Sequence, residues 1–164
     1  MDIKKHITAL GFVPKNGTNG IYHKTYVDYA IEIDFERQDI NYGNSIIAES
    51  RTTQNFSQPE NFVVLECVDR LLIKGYKPQN IVLEKTWPSG HGTSGRLDIC
   101  VNREDGTPYM LIECKTYGKE YNKESAKIHK DGGQLFTYFQ LSGGKADVIM
   151  LYASELKGDK YIYV

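Results

Sequence analysis

The chain has 164 residues, which suits one domain folded around a single hydrophobic core. Hydrophobic residues make up 40% and charged residues 25% of the chain, and no apolar run approaches the ~20 residues that span a bilayer, so the composition argues against a disordered or membrane protein and favours the cytoplasm. A net charge of −1 gives the whole protein no field that would attract nucleic acid, so any such contact has to come from local patches.

The cysteines Cys67, Cys100 and Cys114 are odd in number, widely spaced and embedded in apolar runs. This spacing matches neither a disulfide framework nor a zinc site. We expect reduced thiols packed in the core.

The first fifty residues alternate short strand-like runs with turn signals. One face of a predicted strand carries Tyr29, Ile31, Ile33 and Phe35. Acidic residues on and around the other face are Asp28, Glu32, Asp34, Glu36 and Asp39. They could form a metal site, but the strict alternation favours a solvated surface. We predict that residues 1–56 form a β-rich N-terminal extension packed on a core of residues 57–164. The sequence assigns no role to this extension.

A helix is predicted from Pro59 to Lys74, capped by Ser57 and ending at Gly75. Its buried arc contains Val63, Val64, Cys67, Val68, Leu71 and Leu72. Glu60 falls inside this arc, whereas Glu66 falls on the polar side with Asp69 and Arg70. A core-facing carboxylate at a helix start has two explanations, stabilisation by the helix dipole and a functional role.

A short strand, NIVLEKTW, is followed by the loop PSGHGTSG, whose turn-forming residues predict an exposed segment. His91 and Arg96 are carried on this loop. A solvated His91 is the simpler expectation, and contact with a ligand is the alternative.

The segment LDICVNREDGTPYMLIECKT, residues 97–116, predicts a β-hairpin turning at Asp105-Gly106. A turn centred there places Asp98 directly opposite Glu113. Strand alternation then puts Asp98, Glu113 and Lys115 on one face. The other face is predicted to carry Leu97, Ile99, Val101, Met110, Ile112 and Cys114.

Two carboxylates facing each other on a sheet repel, by up to about 1 kcal/mol, unless a cation lies between them. With no His or Cys pair nearby, the expected ion is Mg²⁺ or Mn²⁺, bound through oxygen. Lys115 could then orient or deprotonate an attacking water and stabilise charge on a phosphate. The alternative is a salt-bridge cluster in which the carboxylates pair only with Arg96 and Lys115.

Downstream of the hairpin, four lysines recur at helical spacing: Lys119, Lys123, Lys127 and Lys130. If the segment is helical they form a basic stripe that could contact phosphates, although Gly118 and the interleaved glutamates equally suit a solvated face. A short helix over residues 132–142 and a strand, ADVIMLYAS, predicted to be buried on both faces, follow. The order of elements predicts an α/β fold with a central mixed β-sheet flanked by helices.

Asp98 on one strand and Glu113-Cys114-Lys115 on the next resemble the motif of the PD-(D/E)xK nuclease superfamily, with Leu97 in place of the proline. Gln134 and Tyr138 are similar to the QxxxY motif of RecB-like nucleases and of type I restriction enzyme R subunits. The stretch from Ser57 to Trp87 also resembles the N-terminal nuclease domain of those subunits.

The resemblance implies a restriction-endonuclease-like core and Mg²⁺-dependent hydrolysis of DNA phosphodiester bonds in a restriction-modification system. It implies metal binding by Asp98, Glu113 and Glu60, with Glu66 as the second choice for the helical glutamate, and catalytic roles for Lys115, Gln134 and Tyr138. Contacts to DNA are expected from Lys119, Lys123, Lys127, His91 and Arg96. The alternative function is a nucleic-acid-binding or assembly module that keeps the nuclease fold without cutting.

No GxxxxGK[ST] phosphate loop and no methyltransferase signature is present in the sequence. A translocase, helicase or methyltransferase is therefore expected either on a longer chain or as a partner subunit. The strand-like end KYIYV favours a chain that belongs to a longer protein.

Overall fold

The structure, a computed structural model, describes residues 2–88 and 95–164. It confirms the predicted α/β class, with a central mixed sheet, flanking helices and an N-terminal β-rich part. Within the described residues, no helix is long and apolar enough to cross a membrane.

The N-terminal part begins with a helix that the sequence analysis did not predict, α1 (Ile3–Ala9), whose first turn is capped by the side chain of Asp2. An antiparallel four-stranded sheet follows. Its strands, in spatial order, are β1 (Val13–Pro14), β2 (Ile21–Thr25), β3 (Ala30–Asp34) and β4 (Asp39–Asn41). In β3 the predicted alternation holds, because Ile31 and Ile33 are fully buried while the residues between them are partly exposed.

The central sheet has five strands in sequence and spatial order: β5 (Ile47–Ala48), β6 (Ile81–Thr86), β7 (Arg96–Asn102), β8 (Pro108–Cys114) and β9 (Val148–Tyr152). The inner pairs are antiparallel, and β5 and β9 run parallel to their single neighbours at the two edges. Strand β5 comes from the predicted N-terminal extension, so that segment is part of the central sheet. The division of the chain at residue 56 stays a prediction.

Three longer helices accompany this sheet: α2 (Glu60–Ile73), α3 (Lys119–Asp131) and α4 (Gly133–Leu141). A terminal hairpin of β10 (Ser154–Lys157) and β11 (Lys160–Tyr163) follows β9. Buried residues of α2 join those of the N-terminal sheet and one face of the central sheet in the main core. A smaller cluster on the other face contains Val82, Leu97, Cys100, Leu111 and Tyr138.

Helix α2 is buried more completely than its sequence pattern predicted. The predicted arc is buried, but Glu66 and Asp69 on the predicted polar side are buried as well. Tyr152 donates a hydrogen bond of 2.5 Å to Glu66, and Tyr26 donates one of 2.5 Å to Asp69. Elements distant in sequence therefore cover the polar side of α2 and satisfy its acidic groups.

The predicted cap of α2 is wrong. Pro59 occupies the cap position, without a side-chain hydrogen bond, and the hydroxyl of Ser57 instead donates to Asn55. At the other end Gly75 has φ +90°, a left-handed conformation that favours glycine, which agrees with the predicted end of the helix.

The predicted hairpin register is confirmed over its inner part, where Ile99 pairs with Ile112 and Val101 with Met110. A shift between Val101 and Asn102 precedes the turn at Asp105-Gly106. Leu97 departs from the predicted face, because it packs with Tyr138 in the smaller cluster and not with Ile99. Strand β7 thus changes its facing at Asp98.

Strand β9 was predicted to be buried on both faces, and this is wrong. It lies at an edge of the sheet, with β8 as its one neighbour among the strands described, and Ile149 is 37% exposed. The apolar run is therefore only half covered.

Candidate active site

A cavity of about 730 Å³ lies where the start of α2 meets the ends of β7 and β8 and the side of α4. Its lining is polar and contains five carboxylates: Glu60, Glu84, Asp98, Glu113 and Glu120. Lys115 and Arg96 are its cationic side chains, and Gln134 and Tyr138 of α4 line it as well. The cavity brings together every residue that the sequence analysis assigned to catalysis or metal binding, apart from the second-choice Glu66.

Asp98 lies at the point where β7 and β8 separate. Its Oδ2 accepts a hydrogen bond of 2.7 Å from the backbone N–H of Cys114, which fixes the carboxylate beside Glu113. Burial raises the pKa of Asp98 well above its ordinary value, and the nearby Glu113 raises it further. Lys115 and the Cys114 N–H oppose this shift without cancelling it.

Glu113 is almost completely buried. Its Oε1 accepts a hydrogen bond of 2.8 Å from Lys115, whereas its Oε2 has no hydrogen-bond partner among the described residues. Burial raises the pKa of Glu113, with Lys115 acting against the rise. A buried carboxylate oxygen without a partner carries a free-energy penalty that a bound cation would remove.

Lys115 connects the two sides of the cavity. Its Nζ lies 2.8 Å from Glu113 Oε1 and 3.4 Å from Glu60 Oε1, and it donates a third hydrogen bond, of 2.9 Å, to the carbonyl of Cys114. Burial alone would lower the pKa of Lys115, but the carboxylates of Glu113, Asp98 and Glu60 outweigh it and raise the pKa above its ordinary value. Lys115 is therefore a cation at neutral pH, which favours charge stabilisation and hydrogen-bond donation over removal of a proton from water.

Glu60 is the first residue of α2 and projects into the cavity beside Lys115. Its position at a helix start also suits a carboxylate electrostatically. Glu66 points elsewhere, since Tyr152 and Arg70 contact it. The structure thus places Glu60, and not Glu66, with Asp98 and Glu113.

Glu84 is an acidic residue of the cavity that the sequence analysis missed. It is 5% exposed, has φ +54° and forms an ion pair in which its Oε2 lies 3.3 Å from Arg96 Nε. The ladder between β6 and β7 pairs Leu83 with Ile99 and Lys85 with Leu97 but skips Glu84 and Asp98. Burial raises the pKa of Glu84, Arg96 lowers it, and Glu60 adds to the rise. The signal in the sequence is an acid inside the apolar run of β6.

Helix α4 presents both Gln134 and Tyr138 to the cavity. Gln134 is exposed, whereas Tyr138 is 2% exposed and donates a hydrogen bond of 2.9 Å to the carbonyl of Arg96. A Cβ at Gly95 would lie only 2.7 Å from the Tyr138 ring. Tyr138 therefore packs tightly on the start of β7.

The residues predicted to contact DNA are spread more widely. Arg96 lines the cavity but is the first residue of β7 and not part of a loop. Lys119, Lys123 and Lys127 lie on α3, so the segment is helical, as a basic stripe requires. None of the three lysines lines the cavity. Lys127 pairs with Glu124 and Lys123 with Glu120. His91 lies outside the described residues.

Among residues 2–88 and 95–164, no three His, Cys, Asp or Glu side chains converge closely enough to hold a metal ion by themselves. The pair Asp98 and Glu113 supplies two hard oxygen ligands, which is the usual protein share for Mg²⁺, since this ion keeps several waters. The unpartnered Glu113 Oε2 and the raised pKa values of both carboxylates fit such an ion.

Comparison with known proteins gives one family. No curated protein matches the chain. The family model of the type I restriction enzyme R protein N terminus matches residues 59–148, more than half of the chain and all of the segment from the start of α2 to the start of β9. The matched range contains every carboxylate of the cavity, together with Lys115, Gln134 and Tyr138. The chain belongs to the family of the type I restriction enzyme R protein N terminus.

Proposed function

We propose that the protein is a Mg²⁺-dependent DNA endonuclease domain of a restriction-modification system. The observation that carries the proposal is the convergence of Asp98, Glu113 and Lys115 in one polar cavity, where a buried oxygen of Glu113 has no hydrogen-bond partner in the part of the chain that the structure describes. Family membership supports the restriction context and the nuclease class.

Asp98 and Glu113 would hold the divalent cation. Two carboxylates without a His or Cys ligand favour Mg²⁺, with Mn²⁺ as a substitute of similar hardness. When bound, the ion would supply Lewis-acid stabilisation of the charge that builds up on the phosphodiester. Glu60 would support the site from the helix start, since it lies on the far side of Lys115.

Lys115 would act as a hydrogen-bond donor. Its ammonium group can orient an attacking water and stabilise negative charge on the phosphate oxygens. Glu113 and the carbonyl of Cys114 hold the Nζ in place, so little side-chain entropy is lost when substrate arrives.

Gln134 and Tyr138 would have different tasks. Tyr138 fixes the first residues of β7 through the Arg96 carbonyl and so supports Asp98 indirectly. Gln134 is exposed at the cavity wall and can form hydrogen bonds with the substrate. Lys119, Lys123 and Lys127 would extend the contact to phosphates along α3. His91, which lies outside the described residues, stays a further candidate.

Partners follow from the family. An R-protein N terminus implies a larger multidomain or multisubunit restriction system acting on DNA. We propose that a translocase or helicase, or a methyltransferase, acts with this domain, on the same longer chain or as partner subunits.

Cleavage of supercoiled plasmid DNA in Mg²⁺ or Mn²⁺ tests the proposal. Wild type should nick or linearise the plasmid, and Asp98→Asn and Lys115→Gln should be slower by about 100-fold or more. Asp105→Asn and Lys77→Gln are the matched controls, because both residues lie outside the cavity, Asp105 in the hairpin turn and Lys77 in an exposed pair with Glu104. Equal rates for wild type and both site variants would reject the proposal.

The ion pairs of Lys115 favour one alternative. Because Lys115 already neutralises Glu113 and Glu60, the cluster also fits a nucleic-acid-binding or assembly module that does not cut. That function predicts salt-dependent DNA binding with no cleavage in any divalent cation.

A further inference from the structure

Arg96 is held from several directions, which is unusual for a partly exposed arginine. Its Nε lies 3.3 Å from Glu84 Oε2, and its Nη1 donates to the hydroxyls of Ser50 and Thr52, each at 3.1 Å. Its backbone carbonyl accepts the hydrogen bond from Tyr138. A surface ion pair alone stabilises a fold only slightly, so the pair with Glu84 does not account for this number of contacts.

The segment that restrains Arg96 is itself fixed to the core. Asn61, in the first turn of α2, donates hydrogen bonds of 2.9 Å to the carbonyls of Thr52 and Asn55. Glu49 accepts hydrogen bonds from the backbone and hydroxyl of Thr86 on β6 and pairs with Lys85. Residues 49–55 are therefore fixed in place, and two of them, Thr52 and Thr53, form part of the cavity wall.

Two residues that line the cavity with Arg96, Glu84 and Thr53, carry unfavourable local features. Glu84 has a left-handed φ of +54°, which is strained for a residue with a Cβ, and such strain tends to persist at functional sites. Thr53 lines the same cavity, is 3% exposed, and its Oγ1 has no hydrogen-bond partner among the described residues. A ligand that accepts hydrogen bonds would give the Thr53 hydroxyl a partner, and the strain at Glu84 marks the same side of the cavity as a candidate functional site.

We propose that Arg96, positioned by Glu84, Ser50 and Thr52, forms a second phosphate-binding subsite, which takes a phosphodiester neighbouring the one at Lys115; this rests on the proposed action on DNA. Arginine suits the task because its planar group can pair with Glu84 through Nε and still offer donors to phosphate oxygens. The subsite gives the N-terminal segment a function in substrate binding.

The test is fluorescence anisotropy of a fluorescein-labelled DNA duplex in EDTA, so that binding is measured without cleavage, over a series of NaCl concentrations. Arg96→Gln should weaken binding about tenfold and reduce the slope of log K against log salt by about 0.9, the value for one lost phosphate contact. The matched control is Arg37→Gln, an exposed arginine of the N-terminal part that does not line the cavity.

A second variant keeps every charge. Ser50→Ala with Thr52→Val removes the two hydroxyl contacts to Nη1, so affinity should fall about threefold or more while the salt slope stays near that of wild type. In Mg²⁺ cleavage assays this double variant should raise KM by more than it lowers kcat. Thermal melts of both variants establish that each is folded under the assay conditions.

The outcomes separate the two proposals. If wild type binds DNA without cutting it, and Arg96→Gln shows the reduced affinity and the reduced slope of log K against log salt, the nuclease assignment fails and the subsite stands. If wild type cuts DNA but Arg96→Gln binds it with unchanged affinity and slope, the subsite is wrong. The same holds if Arg37→Gln loses as much DNA affinity as Arg96→Gln. If wild type binds no DNA, the subsite is wrong as well.

Discussion

Lys115 Nζ lies 2.8 Å from Glu113 Oε1, inside a cavity where the other oxygen of Glu113 has no hydrogen-bond partner among the described residues. Lys115 therefore neutralises part of the negative charge around Glu113, while Glu113 Oε2 can still bind a cation. This relationship explains how a cluster that repels itself can be kept in a folded protein, and it fixes the lysine where substrate would arrive.

The first prediction concerns this lysine. Lys115→Gln removes the counter-charge of a buried carboxylate, so in EDTA the free energy of unfolding should fall by about 3 kcal/mol. Addition of Mg²⁺ should recover more stability in Lys115→Gln than in wild type, because the ion binds the carboxylates of the folded state. Thermal melts with EDTA and with Mg²⁺ measure both effects, and Lys77→Gln is the control. A variant that ignores Mg²⁺ would speak against the metal site.

The second prediction concerns pH. The folded-state pKa of Asp98 lies well above its ordinary value of 3.8, so the stability contributed by its protonated form is present below that ordinary value and is lost as pH rises through the folded-state pKa. Asp98→Asn keeps an oxygen for the Cys114 N–H and does not ionise. In EDTA the variant should exceed wild type in unfolding free energy at neutral pH, with the gap closing towards pH 4.

Urea unfolding at a series of pH values measures this gap. Asp105→Asn provides the reference, because interactions with Thr107 lower the pKa of Asp105. That substitution should reduce stability at neutral pH, the opposite sign. A destabilised Asp98→Asn would favour the plain salt-bridge cluster.

The third prediction separates two glutamates of one helix. Glu60→Gln should slow DNA cleavage by about tenfold or more with little effect on folding, since Glu60 is partly exposed beside Lys115. Glu66→Gln should leave the rate per folded molecule unchanged but lower stability by about 1 to 3 kcal/mol, because Tyr152 and Arg70 lose a buried charged partner. Glu60→Gln should therefore lower the cleavage rate and leave the urea midpoint nearly unchanged. Glu66→Gln should lower the urea midpoint and leave the cleavage rate unchanged.

The helix phase identified Glu60 because only local geometry was needed, and the Asp-Gly turn with strand alternation placed Asp98 beside Glu113 for the same reason. Burial of Glu66 and Asp69 was missed because their partners, Tyr152 and Tyr26, come from distant segments. The exposure of Ile149 was missed because an apolar run gives no sign of being an edge strand.

Glu84 was missed for a different reason. Its position depends on a left-handed backbone angle and on a skipped pair in the β6–β7 ladder, and neither follows from alternation. The same break turns Leu97 away from the predicted face. Local strain at a functional site is where pattern-based inference is expected to fail.

The fourth prediction tests that strain. Both Glu84→Gly and Glu84→Ala remove the carboxylate, but only glycine has no Cβ to clash at φ +54°. The glycine variant should be more stable than the alanine variant by about 1 kcal/mol, measured by urea unfolding. An ordinary strand position gives the reverse order, and that result would remove the argument from strain.

The most direct measurement is the rate of plasmid cleavage as Mg²⁺ is titrated, with wild type beside Glu113→Gln under identical conditions. Wild type should show a saturable dependence on Mg²⁺ and lose activity in EDTA, and Glu113→Gln should be slower by about 100-fold or more at saturating Mg²⁺. Cleavage by Glu113→Gln at the wild-type rate, or cleavage that persists in EDTA, would contradict the assignment of Asp98, Glu113 and Lys115 as a metal-dependent nuclease site.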